Sequence, residues 1–274
     1  MPKYGTVITV LVYADGTDDV GCSEMVDAVF LIDSSLSVRE LCPQTGDNWQ
    51  LVLKFISEVV GAMPLDRGAA RVGIATFSTA LSAAEHVITL DQSTAADALT
   101  LRRRIFQLPF LGGNTNATGA LRYARAELAR ARTAAIGVGT LRKQYVVLLT
   151  DGASNVGGDP VREGRLIKED GVWLFTVGIT EYVDVDQLKE MASAPAAYSY
   201  IHANDFSHLN LFVGQLLDRL ICSNPPPAQR KTVSHSKLNI MLRCSITAFS
   251  FFWSPYLRTA RSLNVSCKAF EISC

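Results

Sequence analysis

The segment from Asp33 to Ser37 carries side chains that could bind a metal ion. It reads Asp33-Ser-Ser-Leu-Ser, so that a carboxylate and the hydroxyls of Ser35 and Ser37 recur at every second position. Carboxylate and hydroxyl oxygens are the ligands that hard divalent cations such as Mg²⁺ prefer. Asp and Ser before a helix are also ordinary N-caps, so this segment alone is a weak signal.

Two later loops offer further oxygen ligands. Asp151 follows the apolar run at residues 145–149 after one intervening threonine, and Thr115 follows the pair Gly112 and Gly113. Glycine permits close approach of the backbone, and threonine adds a hydroxyl. An Asp-Gly pair is also an ordinary turn, so each piece again carries little weight by itself. The three segments indicate a site only if the fold brings them to one place.

The pattern of apolar residues predicts a fold that does so. Strands are predicted at residues 26–32, 71–77, 86–90, 145–149, 172–177 and 198–201, and helices at 49–60, 95–106, 117–132, 160–169, 185–192 and 209–221. The third strand follows the second too closely for a helical crossover, so these two are expected to form an antiparallel hairpin at a sheet edge. The pattern predicts an α/β fold, a doubly wound, Rossmann-like, mostly parallel sheet with one antiparallel edge strand and helices on both faces. Ligands of such sheets bind outside the carboxyl ends of the strands, where Asp33 and Asp151 stand.

In this order, and each after the appropriate element, the three segments resemble the metal-ion-dependent adhesion site of the von Willebrand factor type A family. The match lies in residues 29–35, 113–119 and 148–152, and the resemblance covers about residues 22–222. It implies that five residues hold the metal: Asp33, Ser35, Ser37, Thr115 and Asp151. The stretches 149–160 and 188–195 look like extracellular animal members, including sushi-, EGF- and pentraxin-containing proteins.

The resemblance implies a non-enzymatic adhesion domain. It would coordinate one divalent cation, Mg²⁺ with Mn²⁺ or Ca²⁺ as alternatives, and bind an Asp or Glu of a protein partner in the extracellular matrix or at the cell surface. Three of the ligands are neutral hydroxyls, so the two carboxylates at most balance the charge of the cation. A carboxylate held one shell away would leave the cation electron-poor, which favours an external carboxylate. The last helix is expected to pack on the sheet through its apolar positions, Leu209, Phe212, Val213, Leu216, Leu217 and Leu220.

Other functions find less support in the residues. An aspartate-based phosphotransferase on this architecture commonly has a second carboxylate two residues after the first, where this chain has Ser35, and no GxSxG elbow occurs. None of the four histidines lies in a motif that pairs it with a nucleophile. The remaining alternative is an intracellular type A domain that serves as a scaffold in a multiprotein machine.

Composition limits the partners and suggests the compartment. Lys and Arg together number 26, as do Asp and Glu, so no net charge attracts nucleic acid. No uninterrupted apolar run reaches the ~18 residues that span a bilayer, so no membrane span is expected. Residues 1–21 resemble a truncated secretory signal, with a stray strand or a mis-assigned start as the alternative. Residues 223–274 are a Pro-rich linker followed by a tail without clear periodicity.

The cysteines and two sequons favour secretion. Six cysteines without metal-ligand spacing suit disulfides in an oxidising compartment. Cys22 and Cys222 bracket the type A region, and we predict that they form a disulfide, leaving Cys42 without an obvious partner there. Asn116 and Asn264 stand in N-glycosylation sequons, although such sequons also arise by chance.

Overall fold

Buried apolar strands form the centre of the first of two units, which spans Met1–Gln229. The computed structural model describes residues 25–40, 47–66, 68–80, 87–94, 97–136, 142–221, 241–245 and 266–270. In the first unit six strands form one sheet in the order β3-β2-β1-β4-β5-β6. They are β1 (Val26–Asp33), β2 (Ala70–Phe77), β3 (Val87–Ile88), β4 (Lys143–Thr150), β5 (Trp173–Ile179) and β6 (Tyr200–Ala203). All neighbouring strands are parallel except β2 and β3, which confirms the predicted sheet with its antiparallel edge strand.

Nine α-helices surround this sheet in the described residues. They are α1 (Ser37–Glu40), α2 (Asn48–Ala62), α3 (Leu90–Thr94), α4 (Ala98–Phe106), α5 (Ala117–Ile136), α6 (Pro160–Glu169), α7 (Val185–Met191), α8 (Ala196–Ser199) and α9 (Val213–Ile221). Side chains of Asp47, Asp97, Asp159 and Asp184 accept backbone N–H groups at the starts of α2, α4, α6 and α7. These caps satisfy donors that have no partner within the helix.

Alternate residues of the central strand face two separate cores. In β1, Phe30 and Ile32 belong to a cluster that includes residues of α2, α4 and α9, whereas Val29 and Leu31 belong to a cluster with α5, α6 and α7. Successive strand residues point to opposite faces, so a strand buried on both sides is apolar at most of its positions. Helices therefore cover both faces, as predicted. The six apolar positions predicted at 209–221 all contact the first cluster.

Most elements differ from their predicted bounds by one to four residues, and three of the differences have a local cause. The edge strand is limited to Val87–Ile88, because Leu90 already begins α3. The helix predicted from residue 95 begins at Ala98, since the Asp97 side chain caps it by accepting Thr100 N at 2.7 Å. The last predicted helix is two elements, a 3-10 helix at Phe206–Phe212 and then α9.

The second unit, Arg230–Cys274, contains a two-stranded antiparallel sheet. Its strands are β7 (Met241–Ser245) and β8 (Ser266–Phe270), with Cys244 opposite Cys267. The sequence predicted no element there. In the part of the chain that the structure describes, no helix has the length and apolar character needed to cross a bilayer.

Candidate metal centre

Asp33 and Asp151 lie where the order of strands reverses, between β1 and β4. Asp33 is the last residue of β1, and Asp151 directly follows the last residue of β4. These two strands are parallel neighbours, with Ile32 opposite Leu149, so the two carboxylates stand at adjacent strand ends. Their exposed fractions are only 3% and 0%. The position is the crevice in which open α/β sheets bind ligands.

The loop after β1 connects both serines to this crevice. Ser35 N donates to Asp33 Oδ1 at 2.9 Å, which folds the chain back over the carboxylate. The hydroxyls of Ser35 and Ser37 lie 3.1 Å apart, and Ser37 Oγ donates to Asp151 Oδ1 at 2.9 Å. Four of the five predicted ligands thus form one continuous hydrogen-bonded group.

Thr115 reaches the same place through backbone contacts. Thr115 N donates to Asn155 Oδ1 at 3.0 Å, and its carbonyl accepts Asn155 N at 3.0 Å, which fixes it against the loop after β4. On the other side, Leu36 N donates to Gly113 O at 3.0 Å. No described hydrogen bond joins the Thr115 hydroxyl to the other four residues. The three loops are therefore held together by their backbones, and the Thr115 side chain is buried among them.

Burial raises the pKa of both carboxyl groups, and the charge of Asp33 adds to the effect at Asp151. Burial, with the nearby charge of Asp33 as the second cause, raises the pKa of Asp151 to about 7, although the hydrogen bond from Ser37 opposes this. Burial also raises the pKa of Asp33, against hydrogen bonds from Thr150 and Ser35. Without a cation, two ionised carboxylates are unfavourable in so buried a site, since burial and a nearby like charge both disfavour ionisation.

One oxygen of the site has no hydrogen-bond partner among the described residues. Asp151 Oδ2 is buried and accepts no hydrogen bond from that part of the chain, which is uncommon for a polar atom in a protein interior. Among the described residues no three His, Cys, Asp or Glu side chains are grouped so as to hold a metal, so hydroxyls would have to complete the ligand set. An unpartnered carboxylate oxygen beside a second carboxylate and two serine hydroxyls, with Thr115 on the adjoining loop, fits a hard divalent cation.

Two threonines support the site without having been predicted. Thr150 Oγ1 donates to Asp33 Oδ2 at 2.6 Å, and Thr180 Oγ1 donates to the Asp151 carbonyl at 3.4 Å. Thr150 stands directly before Asp151, so a hydroxyl at that position was a signal available in the sequence. Thr180 has a φ of 74°, which is rare for a β-branched residue, and nothing in the sequence indicates it.

Asn116 lies among the described residues, and both polar atoms of its side-chain amide form hydrogen bonds. Nδ2 donates to Thr79 O at 3.1 Å and Oδ1 accepts Gly119 N at 2.8 Å. The glycosylation of Asn116 stays a prediction. Cys22, Cys42, Cys222 and Asn264 lie outside the described residues.

Comparison with known proteins decides the family. The family model of the von Willebrand factor type A domain matches residues 27–215. The chain belongs to this family. The match contains all five predicted metal ligands, and the type A domain accounts for most of the chain.

Relatives of this type A domain occur in matrix proteins. The collagen alpha-4(VI) chain of Mus musculus is 31% identical over 241 residues, which are 85% of this chain and 10% of that protein. Matrilin-1 of Homo sapiens is 29% identical over 209 residues, which are 76% of this chain and 38% of that protein. The chain therefore spans a minor part of the length of these relatives.

A solved structure shares the fold. Proximal thread matrix protein 1 from the mussel byssus, with a zinc-occupied metal-ion-dependent adhesion site, superposes with a TM-score of 0.61. It is 21% identical, and the match covers 82% of this chain and 50% of that one. At this identity the likeness concerns the type A fold alone.

Proposed function

We propose that this chain is a non-enzymatic adhesion domain that holds one divalent cation and binds an acidic side chain of a protein partner. The cation would be held by Asp33, Ser35, Ser37, Thr115 and Asp151. The observation that carries the proposal is the buried, unpartnered Oδ2 of Asp151 next to a second buried carboxylate.

The donor atoms favour magnesium. All five side chains offer oxygen and none offers sulfur or imidazole nitrogen, which suits Mg²⁺, with Mn²⁺ or Ca²⁺ as alternatives. The two carboxylates balance the charge of a divalent ion, while the hydroxyls add no charge. The related byssus protein is described with zinc at its site, so zinc belongs in the same competition series.

The residues of the chain would orient and protect the site. Ser37 Oγ holds Oδ1 of Asp151 and leaves Oδ2 for the cation. Both oxygens of Asp33 accept a hydrogen bond, Oδ1 from Ser35 N and Oδ2 from Thr150 Oγ1, and these bonds fix the orientation of that carboxylate. Backbone contacts between the loops fix these side chains before any ligand arrives, which lowers the entropy lost on binding. When bound, the cation would supply an electron-poor position for a partner's carboxylate.

The matrix relatives support an extracellular location and a matrix protein as partner. We place the domain at residues 22–222, bounded by the proposed Cys22–Cys222 disulfide. Residues 1–21 would be a signal or extension, and residues 223–274 a linker and tail. The alternative is an intracellular type A scaffold. Secretion of the chain from cultured cells, followed by enzymatic deglycosylation of Asn116 and Asn264 glycans, separates the two.

Binding to matrix tests the proposed function. Immobilised chain is incubated with solubilised extracellular matrix in Mg²⁺ or EDTA, and the captured protein is eluted with a glutamate-containing peptide or with its glutamine counterpart. We expect capture only in Mg²⁺ and release only by the glutamate peptide. Asp151→Asn should abolish capture. Asp66→Asn should leave capture unchanged, because Asp66 is an exposed aspartate between α2 and the amino end of β2, away from the carboxyl ends of the strands. Capture that persists in EDTA would contradict the proposal.

A further inference from the structure

A cavity of about 500 Å³ lies at the amino ends of the parallel strands, whereas the metal centre lies at their carboxyl ends. Its lining includes residues at the amino ends of β4 and β5, such as Gln144 and Trp173. The eight residues of β4 separate the cavity from the metal centre. At about 3.3 Å per residue, this length corresponds to a distance of about 25 Å. The volume is in the range that holds a small organic ligand. A ligand there would not touch any of the five proposed metal ligands.

Aromatic rings form one wall of this cavity. Trp173 and Tyr198 meet edge to face with ring centroids 5.9 Å apart, and Phe175 lies 6.3 Å from Trp173 and 6.1 Å from Tyr145. Trp173 Nε1 donates to Ser199 Oγ at 2.8 Å, which fixes the orientation of the indole. Such a wall favours a flat apolar ring, since aromatic pairs gain energy beyond area burial.

The charges of the lining favour an anion. Arg132, Arg142 and Lys143 line the cavity together with one acidic residue, Asp170. Asp170 is already paired with Arg125 at 2.6 Å, so it does not neutralise the others fully. Arg142 is paired with the buried Asp27 at 2.6 Å. Arg132 and Lys143 are the other two cations of the lining, and the hydrogen bonds of Arg132 fix its position.

Arg132 is held in place by a neutral group. Its Nε donates to Gln144 Oε1 at 3.0 Å, and Nη2 donates to the same oxygen. Gln144 is itself fixed because its Nε2 donates to Leu128 O at 2.9 Å. Within the described residues no carboxylate pairs with Arg132, and its Nη1 remains available as a donor. The guanidinium is thus positioned and charged, as recognition of a carboxylate requires.

We propose that this cavity binds a small aromatic carboxylate. The ring would lie against Trp173 and Tyr198, and the carboxylate would accept hydrogen bonds from Arg132. The fixed Gln144 and Trp173 side chains lower the loss of freedom on binding.

The test uses the whole chain in EDTA, so that it does not depend on the metal centre. Naphthylacetate is titrated in, and the indole N–H signal of Trp173, assigned with Trp173→Phe, is followed by nuclear magnetic resonance. A ligand of about a dozen non-hydrogen atoms can reach a Kd of about 1 mM. We expect a saturable shift of the Trp173 signal and none of Trp49, whose buried Nε1 donates to Leu108 O. The neutral naphthylacetamide should bind about tenfold more weakly, because it lacks the charge-assisted hydrogen bond.

A matched pair of arginine variants tests the anion site. Arg132→Gln should weaken naphthylacetate binding about tenfold and leave binding of the amide unchanged. Arg165→Gln, which changes an exposed arginine of α6 outside the cavity lining, should bind like the wild type. Equal binding of acid and amide to the wild type would overturn the proposal, even if Arg132→Gln failed to fold. An unshifted Trp173 signal at about 10 mM ligand would overturn it as well.

Discussion

Replacing Asp151 by asparagine removes a negative charge from the buried site while keeping an oxygen that can accept the Ser37 hydrogen bond. The pKa of Asp151 lies at about 7 instead of the ordinary 3.8. At about 1.4 kcal/mol per pKa unit, the ionised group destabilises the metal-free fold by about 4 kcal/mol. The new amide N–H₂ is buried, and without an acceptor it costs about 1–3 kcal/mol. Without metal, Asp151→Asn should therefore be more stable than the wild type by about 1–3 kcal/mol.

The sign of the pH dependence follows from the same shift. The native state holds the Asp151 proton more tightly than the unfolded chain, so the wild type loses stability as pH rises from 3.8 to about 7. The advantage of the variant should be complete above about pH 7. It should reverse below about pH 4, because the Asp151 carboxyl is then neutral in the folded and unfolded chain and only the cost of about 1–3 kcal/mol for the buried amide remains. Urea unfolding in EDTA across this range measures it, and added Mg²⁺ should stabilise only the wild type. A variant that is less stable than the wild type at about pH 8 in EDTA would refute the reasoning.

Three further predictions concern the neutral metal ligands, a glycine near the site and the disulfide. Replacing a neutral ligand should weaken Mg²⁺ binding less than losing a carboxylate, because water can partly replace a hydroxyl, and calorimetry should show this for Ser35→Ala, Ser37→Ala and Thr115→Ala. Gly157→Ala would place a Cβ 1.9 Å from Asn116 Oδ1 at a φ of +89°, so thermal unfolding should show a loss of about 1–3 kcal/mol. Gly214→Ala, with open space around its Cβ in α9, should show no loss. Peptide mapping without reductant should find Cys22 linked to Cys222, and two unlinked thiols would contradict the pairing.

The sheet and the two carboxylates could be predicted because their signals are local. A strand buried on both faces carries a nearly continuous apolar run, so β1 and β4 stand out from the sequence, and Asp33 and Asp151 mark their ends. The doubly wound order then places both at one crevice. The ligand positions needed the family resemblance, since an Asp-Ser-Ser segment by itself is equally an N-cap.

Contacts between distant residues could not be predicted. Asp27 is buried in β1 and accepts hydrogen bonds from Arg71 and Arg142, which lie 44 and 115 residues away. Neither arginine has a local pattern that points to the pair. The 3-10 helix at Phe206–Phe212 is likewise hidden, because its apolar positions also fit an α-helix.

Calorimetric titration of Mg²⁺ and Mn²⁺ into the wild type and Asp151→Ala tests the metal centre most directly. Asp33 and Asp151 lie at the ends of strands and are not part of the apolar core. Circular dichroism should therefore show that the variant keeps its fold. We predict one site per chain in the wild type and no measurable site in the variant. Equal metal binding by both folded proteins would contradict the assignment of the site, and with it the proposed adhesive function.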